Sequence, residues 1–574
     1  MRGRIFHIGQ LRPPLIILAT LLLGACLQQT YHPPHAPAAP RHGMVVAGHP
    51  AAADIGVQIM QAGGNAFDAA VAVQFALAVA YPGAGNLGGG GFAVLHTDTG
   101  ATAALDFRET APAKSHRDMY LDSAGAVIPR ASLDGALAVG VPGSVDGMAR
   151  LHDRYGKLPW SRLLQPAIDL ARNGVELTAR EAHKYNRYRE AFLTLNTTPP
   201  PLVRFDRPWQ AGDTLKQPEL ARALESIRKL GRNGFYRGEL ADRLAAGIRR
   251  AGGLVSEQDL QNYRAVWRQP VNGSYRGYQI HSMPPPSSGG VALLQLLQAV
   301  EPYPIADWGS HDTRTIHLLT EIERRVYADR AAYLGDPDQV DVPVKKLLDP
   351  DYLKQRMADI SPDAKTDSDD IGPGQLPPAE SLETTHFSIA DSAGNAIAVT
   401  TTLNSTFGSK LMVPGTGFFL NNEMDDFSSK PGVPNQFGLV GSEANAIAPG
   451  KRMLSSMTPT IVEKEGKPFL VLGSPGGSTI ITSVLQVILN IIDHRMPLQE
   501  AVNAKRVHHQ WLPDRILAES GALSPETELT LKALGHVIVT RKSIGQVNAI
   551  EIAPDGTLSG AADVQRGDNQ SAGF

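Results

Sequence analysis

The sequence predicts an α+β fold in which helices pack on antiparallel sheets. Two patterns predict it. Pairs of short apolar runs flank turn residues, as in hairpins, and longer stretches that are apolar on most faces lie between them, as in buried helices. The composition permits such a core: 574 residues, 42% hydrophobic and 19% charged, are globular rather than disordered. The 56 glycines and 42 prolines supply many turns.

Taken in order, residues 65–80 form an Ala/Val-rich run that suits a buried helix. Residues 92–107 read as a hairpin turning near Asp98-Thr99-Gly100. Ile316, Leu319, Ile322 and Val326 recur at helical spacing, with Gly335 and Pro337 beyond the end. Residues 44–360 are therefore mostly helical with some hairpins. Residues 361–383 change character: Asp363, Asp367, Asp369, Asp370, Gly372, Gly374, Pro377 and Pro378 mark a linker. A strand-rich part follows. Runs at 386–390 and 396–401 flank an Asp-Ser-Ala-Gly-Asn turn, and runs at 460–462 and 469–473 flank Glu465-Gly466. Residues 480–492 read as a buried helix, since Thr482, Ser483, Gln486 and Asn490 argue against a membrane span.

The start of the chain reads as an address and a tether. Arg2 and Arg4 precede an apolar run at 15–23, which has the length of a signal h-region and is too short for a stable span. It ends in Leu23-Gly24-Ala25-Cys26, which resembles a lipobox with its lipidation cysteine. Residues 1–25 are thus expected to be a lipoprotein-type signal peptide, and 26–43, with four prolines, an extended tether. This implies a periplasmic protein held to a membrane through lipidated Cys26; an ordinary cleaved signal, giving a soluble periplasmic or secreted protein, is the alternative.

Several functions are excluded. A net charge of −3 gives no general attraction to nucleic acid, and a single cysteine rules out an intrachain disulfide or a multi-thiolate metal site. Gly83-Ala-Gly85-Asn-Leu-Gly88 has dinucleotide-site spacing, but a helix precedes it and a hairpin follows, the reverse of what that site needs. A tight backbone turn is the better reading. His508-His509 are adjacent and read as structural.

Chemistry concentrates in the second part. Thr384 stands where the linker meets a strand. A threonine hydroxyl is a weak nucleophile that needs a base, and the residue's own α-amine, freed by a cut just before it, can serve near neutral pH. Gly473-Ser-Pro-Gly476-Gly477-Ser478 ends a strand and opens the apolar helix, where free N–H groups can face an oxyanion. Acids and amides crowd residues 421–427, Ser455 and Ser456 lie among apolar residues, and Arg108 ends the early hairpin. A structural alternative stands beside each: a strand start, a turn, a solvated loop, hydroxyls bonded to local backbone, a surface ion pair.

Together these segments resemble the γ-glutamyltransferase (γ-glutamyltranspeptidase, glutathione hydrolase) family. The resemblance runs over nearly the whole mature chain, through Asn86-Leu-Gly-Gly-Gly-Gly-Phe92, Asp106-Phe-Arg-Glu109 and Pro284-Pro-Pro-Ser-Ser-Gly-Gly290. It is densest in Glu383-Thr-Thr-His-Phe-Ser388, Thr402-Leu-Asn404, 421–427, Pro431-Gly-Val-Pro434, 454–460 and 473–477. It implies a four-layer αββα sandwich of the N-terminal nucleophile hydrolase type. The precursor would cut itself between Glu383 and Thr384, giving a large subunit (44–383 after the tether) and a small one (384–574) that stay together as a heterodimer.

By this resemblance Thr384 is the nucleophile and Thr402 supports its amine and hydroxyl. Arg108, Ser455 and Ser456 hold a substrate α-carboxylate; Asn404, Glu423 and Asp426 hold the α-ammonium; Gly476 and Gly477 supply oxyanion donors. The substrates implied are glutathione and γ-glutamyl peptides, with water, amino acids or dipeptides as acceptors. No metal or organic cofactor is implied. Two departures stand out. Glu423 replaces a Gln found in many bacterial relatives. Phe437 lies in a stretch, 431–442, that resembles a lid, where many lidded members carry Tyr. The lost hydroxyl implies a looser lid and a greater share of hydrolysis. A related cephalosporin acylase and a non-catalytic peptide-binding lipoprotein are the competing readings.

Overall fold

The computed structural model describes residues 42–372, 384–430, 432–433, 435–436, 438–439 and 441–574. Alternation along its strands sets the architecture. In β1 (Gly43–Ala47) Val45 and Ala47 face one hydrophobic cluster while Met44 and Val46 face another. The same period of two sends Ala93 and Leu95 one way and Phe92 and Val94 the other in β2 (Gly90–His96). A strand apolar on both sides belongs to a sheet covered on both faces.

Two such sheets stack. The first strands in chain order are β1, β2, β3 (Thr102–Asp106), β4 (Val266–Arg268), β5 (Val271–Tyr275) and β6 (Tyr278–Ser282). Then come β7 (Thr385–Asp391), β8 (Ala396–Thr402), β9 (Thr460–Lys464) and β10 (Lys467–Gly473), and finally β11 (Asn548–Ile552), β12 (Leu558–Ala562) and β13 (Gln570–Gly573). One sheet has the order β13-β1-β7-β8-β2-β3-β4, the other β12-β11-β10-β9-β6-β5, and the pairings within each are antiparallel. Met44, Phe92, Ala398, Ile461, Val471 and Ile550 fill the space between them.

Helices cover the outer faces. On the seven-stranded sheet lie α1 (Pro50–Gln61) and α2 (Ala66–Ala80), with α3 (Trp160–Asn173) behind α2. Every residue of α2 is buried, as its Ala/Val content predicts. Asn65 caps it by accepting from the Phe67 and Asp68 N–H groups, while Asp68 accepts from the Asn65 N–H. A cap of this kind contributes about 1 kcal/mol. On the six-stranded sheet lie α4 (Gly289–Val300) and α6 (Thr479–Ile492), with α5 (Thr313–Tyr333) packed against α4. The result is the four-layer αββα sandwich that the resemblance implies. Among the described residues no helix is long and apolar enough to cross a membrane.

The two parts read from the sequence are not side-by-side units. Both sheets combine strands from before residue 361 with strands from after residue 383: β1 lies between β13 and β7 in one, and β6 pairs with β9 in the other. The hairpins at β2–β3, β7–β8 and β9–β10 and the helix at α6 lie where the sequence predicts them. Two boundaries shift. Gly43, assigned to the tether, already pairs with Asp391 in β1. The first half of the expected linker is also anchored: Asp514 accepts from Lys365 Nζ and the Ser368 N–H, and the Ser368 hydroxyl donates to Trp511 O. Residues 373–383, Cys26 and the rest of 1–41 lie outside the described residues.

Candidate active site

The site opens at the ends of the two central strands. β7 and β8 pair Thr385 with Thr401, so the next position brings Thr384 opposite Thr402. Thr384 is almost fully buried. Asn86 fixes this end of β8: its Nδ2 donates to Thr402 O (2.9 Å), and its Oδ1 accepts from the Gly89 N–H and the Ser144 hydroxyl. A Cβ on Gly89 would overlap Thr402 O. Gly85, Gly88, Gly90 and Gly91 likewise leave no room for a Cβ against neighbouring backbone oxygens, so these glycines serve close backbone approach.

Thr384 and Thr402 line a cleft of about 520 Å³, counted to its open mouth, together with Arg108, Asn404, Glu423, Asp426, Ser455, Ser456 and Gly477. It contains nearly all the residues singled out in the sequence; Gly476 sits one position behind Gly477. Glu383 and Phe437 lie outside the described residues.

The charged residues meet directly. Arg108, fully buried just beyond β3, donates from Nη1 to Glu423 Oε2 and from Nη2 to Asp426 Oδ2, both at 2.5 Å. It also donates to Met453 O and Leu454 O. Its third acidic neighbour is Glu109, 3.7 Å away, whose two carboxyl oxygens are buried with no hydrogen-bond partner. Burial pushes Glu109 up to about 8 against the pull of Arg108. Burial likewise raises Glu423 and Asp426, with Arg108 opposing. Burial by itself would lower Arg108, but Glu423, Asp426 and Glu109 hold it above its ordinary value. Of the cleft's two cations, Arg108 and Arg330, only Arg108 pairs with these carboxyls, and burial favours their neutral forms, so an entering ammonium favours their ionised forms.

The hydroxyls are prepared to donate. Ser455 Oγ accepts from the Met457 N–H (3.1 Å), and Ser456 Oγ accepts from Arg330 Nη2 (3.0 Å). With those lone pairs engaged, each hydroxyl hydrogen is left to donate elsewhere, the requirement for gripping a carboxylate. The Ser287-Ser288 turn clamps this segment: the Ser288 N–H and hydroxyl both donate to Ser455 O, and the Ser455 N–H donates to Pro286 O. On the acidic side, Asn404 Nδ2 donates to Asn422 O, leaving its carbonyl oxygen as an acceptor.

Gly476 (φ 142°) and Gly477 (φ 56°) turn the chain from β10 into α6. Among the described residues no acceptor pairs with their N–H groups, which lie at a helix N-terminus beside Thr384. An oxyanion formed at Thr384 would meet donors there.

The sequence reading missed Arg330, Ser288 and Glu109 as site residues. Ser288 and Glu109 lie in motifs already quoted, Pro284–Gly290 and Asp106–Glu109, and only contacts reveal their parts. His508 and His509 are structural, as read: His508 bonds Thr482 Oγ1, and His509 bonds Asp514 and the Trp511 N–H. His317, Glu321 and His536 also converge, but His317 bonds Ser361 O and His536 while Glu321 is held by Arg324 and Arg325.

Comparison with known proteins places this geometry. The gamma-glutamyltranspeptidase family model matches residues 52–573. The chain is 48% identical to the glutathione hydrolase proenzyme of Pseudomonas aeruginosa, over 92% of this chain and 93% of that one. It is 44% identical to the glutathione hydrolase proenzyme of Escherichia coli, over 97% and 98%. The crystal structure of a cephalosporin acylase from Bacillus halodurans superposes with a TM-score of 0.82 at 28% identity, covering 95% of this chain and 98% of that one. A match over most of its length to the family model and to two curated proenzymes establishes that the chain belongs to the gamma-glutamyltranspeptidase family.

Proposed function

We propose that the protein cleaves the γ-glutamyl amide bond of glutathione and related compounds and passes the γ-glutamyl group to water or to an amino acid or peptide. The observation that carries this reading is the convergence, in the cleft beside Thr384, of a buried arginine, two donor hydroxyls and two carboxyls. A γ-glutamyl group bears a carboxylate and an ammonium on one carbon, and recognition of that pair needs both sets. Arg108, Ser455 and Ser456 take the carboxylate; Asn404, Glu423 and Asp426 take the ammonium. Arg108 pairs with Glu423 and Asp426, and a substrate's carboxylate and ammonium offer each side a partner of the same charge as the one it would give up.

The reaction begins with a cut between Glu383 and Thr384 that frees the Thr384 amine. That amine takes the proton from the Thr384 hydroxyl as Oγ1 attacks the γ-carbonyl carbon. The oxyanion rests on the Gly476 and Gly477 N–H groups. Collapse expels the amine, which receives the proton, and leaves a γ-glutamyl ester on Thr384. Water or an acceptor amine then attacks the ester, again losing a proton to the Thr384 amine, and the hydroxyl is restored. Thr402, opposite Thr384, orients that amine and hydroxyl. The large and small fragments remain together because both sheets are built from strands of each. The signal-like segment and Cys26 support export and a lipid tether.

The test compares γ-glutamyl-p-nitroanilide with glutaryl-p-nitroanilide, which lacks only the α-ammonium. Strong preference for the γ-glutamyl donor supports the reading. Preference for the glutaryl compound indicates an acylase, and activity on neither a binding protein.

A further inference from the structure

We infer that Arg330 is a positioning residue for the substrate α-carboxylate: it sets the direction in which Ser456 donates and braces the Ser455-Ser456 segment through Ser288. This rests on the γ-glutamyl reading above and deepens it. Arg330 lies on α5, in the outer helical layer, yet it is buried and reaches the cleft. Its Nη2 donates to Ser456 Oγ at 3.0 Å and its Nε to Ser288 Oγ at 2.8 Å. The Ser288 hydroxyl in turn donates to Ser455 O at 2.6 Å. One side chain thus holds both serines, one directly and one through a relay.

Direction follows from donor chemistry. A guanidinium has no acceptor, so Ser456 Oγ must receive at the Arg330 contact, and its own hydrogen must point elsewhere. Without Arg330 the hydroxyl can rotate, and a lone pair facing a carboxylate repels it. Charge points the same way. Among the described residues no carboxylate forms an ion pair with Arg330, although the more distant Asp426 favours its charged form. Burial lowers it only to about 10, so it is a cation at neutral pH in a cleft otherwise rich in acids. A buried cation lacking a close counter-ion favours an anion at the adjacent hydroxyls.

The experiment measures kcat and KM of wild type, Arg330→Gln, Arg330→Lys, Ser456→Ala and Arg330→Gln/Ser456→Ala. The donors are γ-glutamyl-p-nitroanilide and 4-aminobutyryl-p-nitroanilide, which lacks only the α-carboxylate. Arg330→Gln should raise KM for the γ-glutamyl donor by about tenfold or more, the effect of losing a hydrogen bond to a charged group, with kcat within about threefold. KM for the decarboxylated donor should change less than about twofold. Arg330→Lys should recover part of the loss. In the Ser456→Ala background the Arg330→Gln effect should shrink to the part that acts through Ser288 and Ser455. Equal losses on both donors, or full losses in the Ser456→Ala background, would overturn the inference and leave Arg330 a packing residue. If Arg330→Gln gives no folded enzyme, Arg330→Lys and Ser456→Ala decide: unchanged selectivity between the two donors in both overturns it. A wild type inactive on the γ-glutamyl donor would instead refute the underlying reading.

Discussion

Arg108 and Glu423, 315 residues apart in sequence, meet at 2.5 Å inside the cleft. The ion pair sets a cation beside acids, the charge pattern that the two charges of a γ-glutamyl head group match. Glu423 nevertheless keeps one buried oxygen, Oε1, without a hydrogen-bond partner. Such an oxygen costs about 1–3 kcal/mol and gives a substrate ammonium a ready acceptor.

Glu423→Gln tests this relationship with two readouts of different sign. Removing a desolvated carboxylate among like charges should leave the melting temperature unchanged or raise it. Losing the anion should raise KM for the γ-glutamyl donor by about three- to thirtyfold. Thermal melts and steady-state kinetics on the same preparation check both; a lower melting temperature with unchanged KM contradicts the assignment.

Gly476→Ala probes the oxyanion turn. The backbone there has φ 142°, and a Cβ would lie 2.5 Å from Thr479 Oγ1. The turn must shift, and its N–H groups with it. A misplaced oxyanion donor lowers kcat by about a hundredfold. An alanine variant that keeps full kcat would remove this turn from the mechanism.

Asp425, next to the ammonium-side acids, gives a pH test. Burial raises it to about 7, against the Ser132 hydroxyl and the Gln436 N–H that favour its charged form. Its ordinary value is near 4, so between about pH 4 and 7 the folded protein holds a proton that the unfolded chain has released. The stability this group contributes is full below about pH 4 and lost as pH rises through about 7. Asp425→Asn lacks the titration. Its urea stability relative to wild type should therefore improve by about 2 kcal/mol from pH 5.5 to pH 8. A constant difference contradicts the account.

The Phe437 position bears on the fate of the ester. It lies outside the described residues, but its neighbours join the site: Asn435 Nδ2 donates to Asp426 Oδ1, and the Ser405 hydroxyl donates to Gln436 Oε1. Phe437→Tyr restores the hydroxyl that many lidded members of the family carry at this position. The ratio of hydrolysis to transfer, measured with glycylglycine as acceptor, should fall; an unchanged ratio removes the lid from the explanation.

Much of this site was legible because its chemistry is carried by short motifs at sheet ends. The hairpin ending in Arg108, the Ser455-Ser456 pair and the glycine turn before α6 each announce a local geometry. The αββα layering was legible only through family resemblance, since no single segment reveals that β1 inserts between strands more than 300 residues later in the chain. Arg330 was not legible. Helix α5 buries nearly its whole length, including Arg324, Arg325 and Arg330. Polarity patterns place such residues on the solvent face, and only tertiary partners bring them inside. The anchoring of 361–372 was hidden for the same reason, because aspartates and a nearby Gly-Pro run read as a linker until Asp514 and Trp511 are placed against them.

The central claim is that Thr384 works as a freed N-terminal nucleophile. Its most direct test is the denaturing mass of the purified protein beside a Thr384→Ala control. The account predicts two chains for the wild type, the smaller beginning at Thr384, and one uncut chain for the control. A single uncut chain in both after prolonged incubation would leave Thr384 without its amine and would contradict the account.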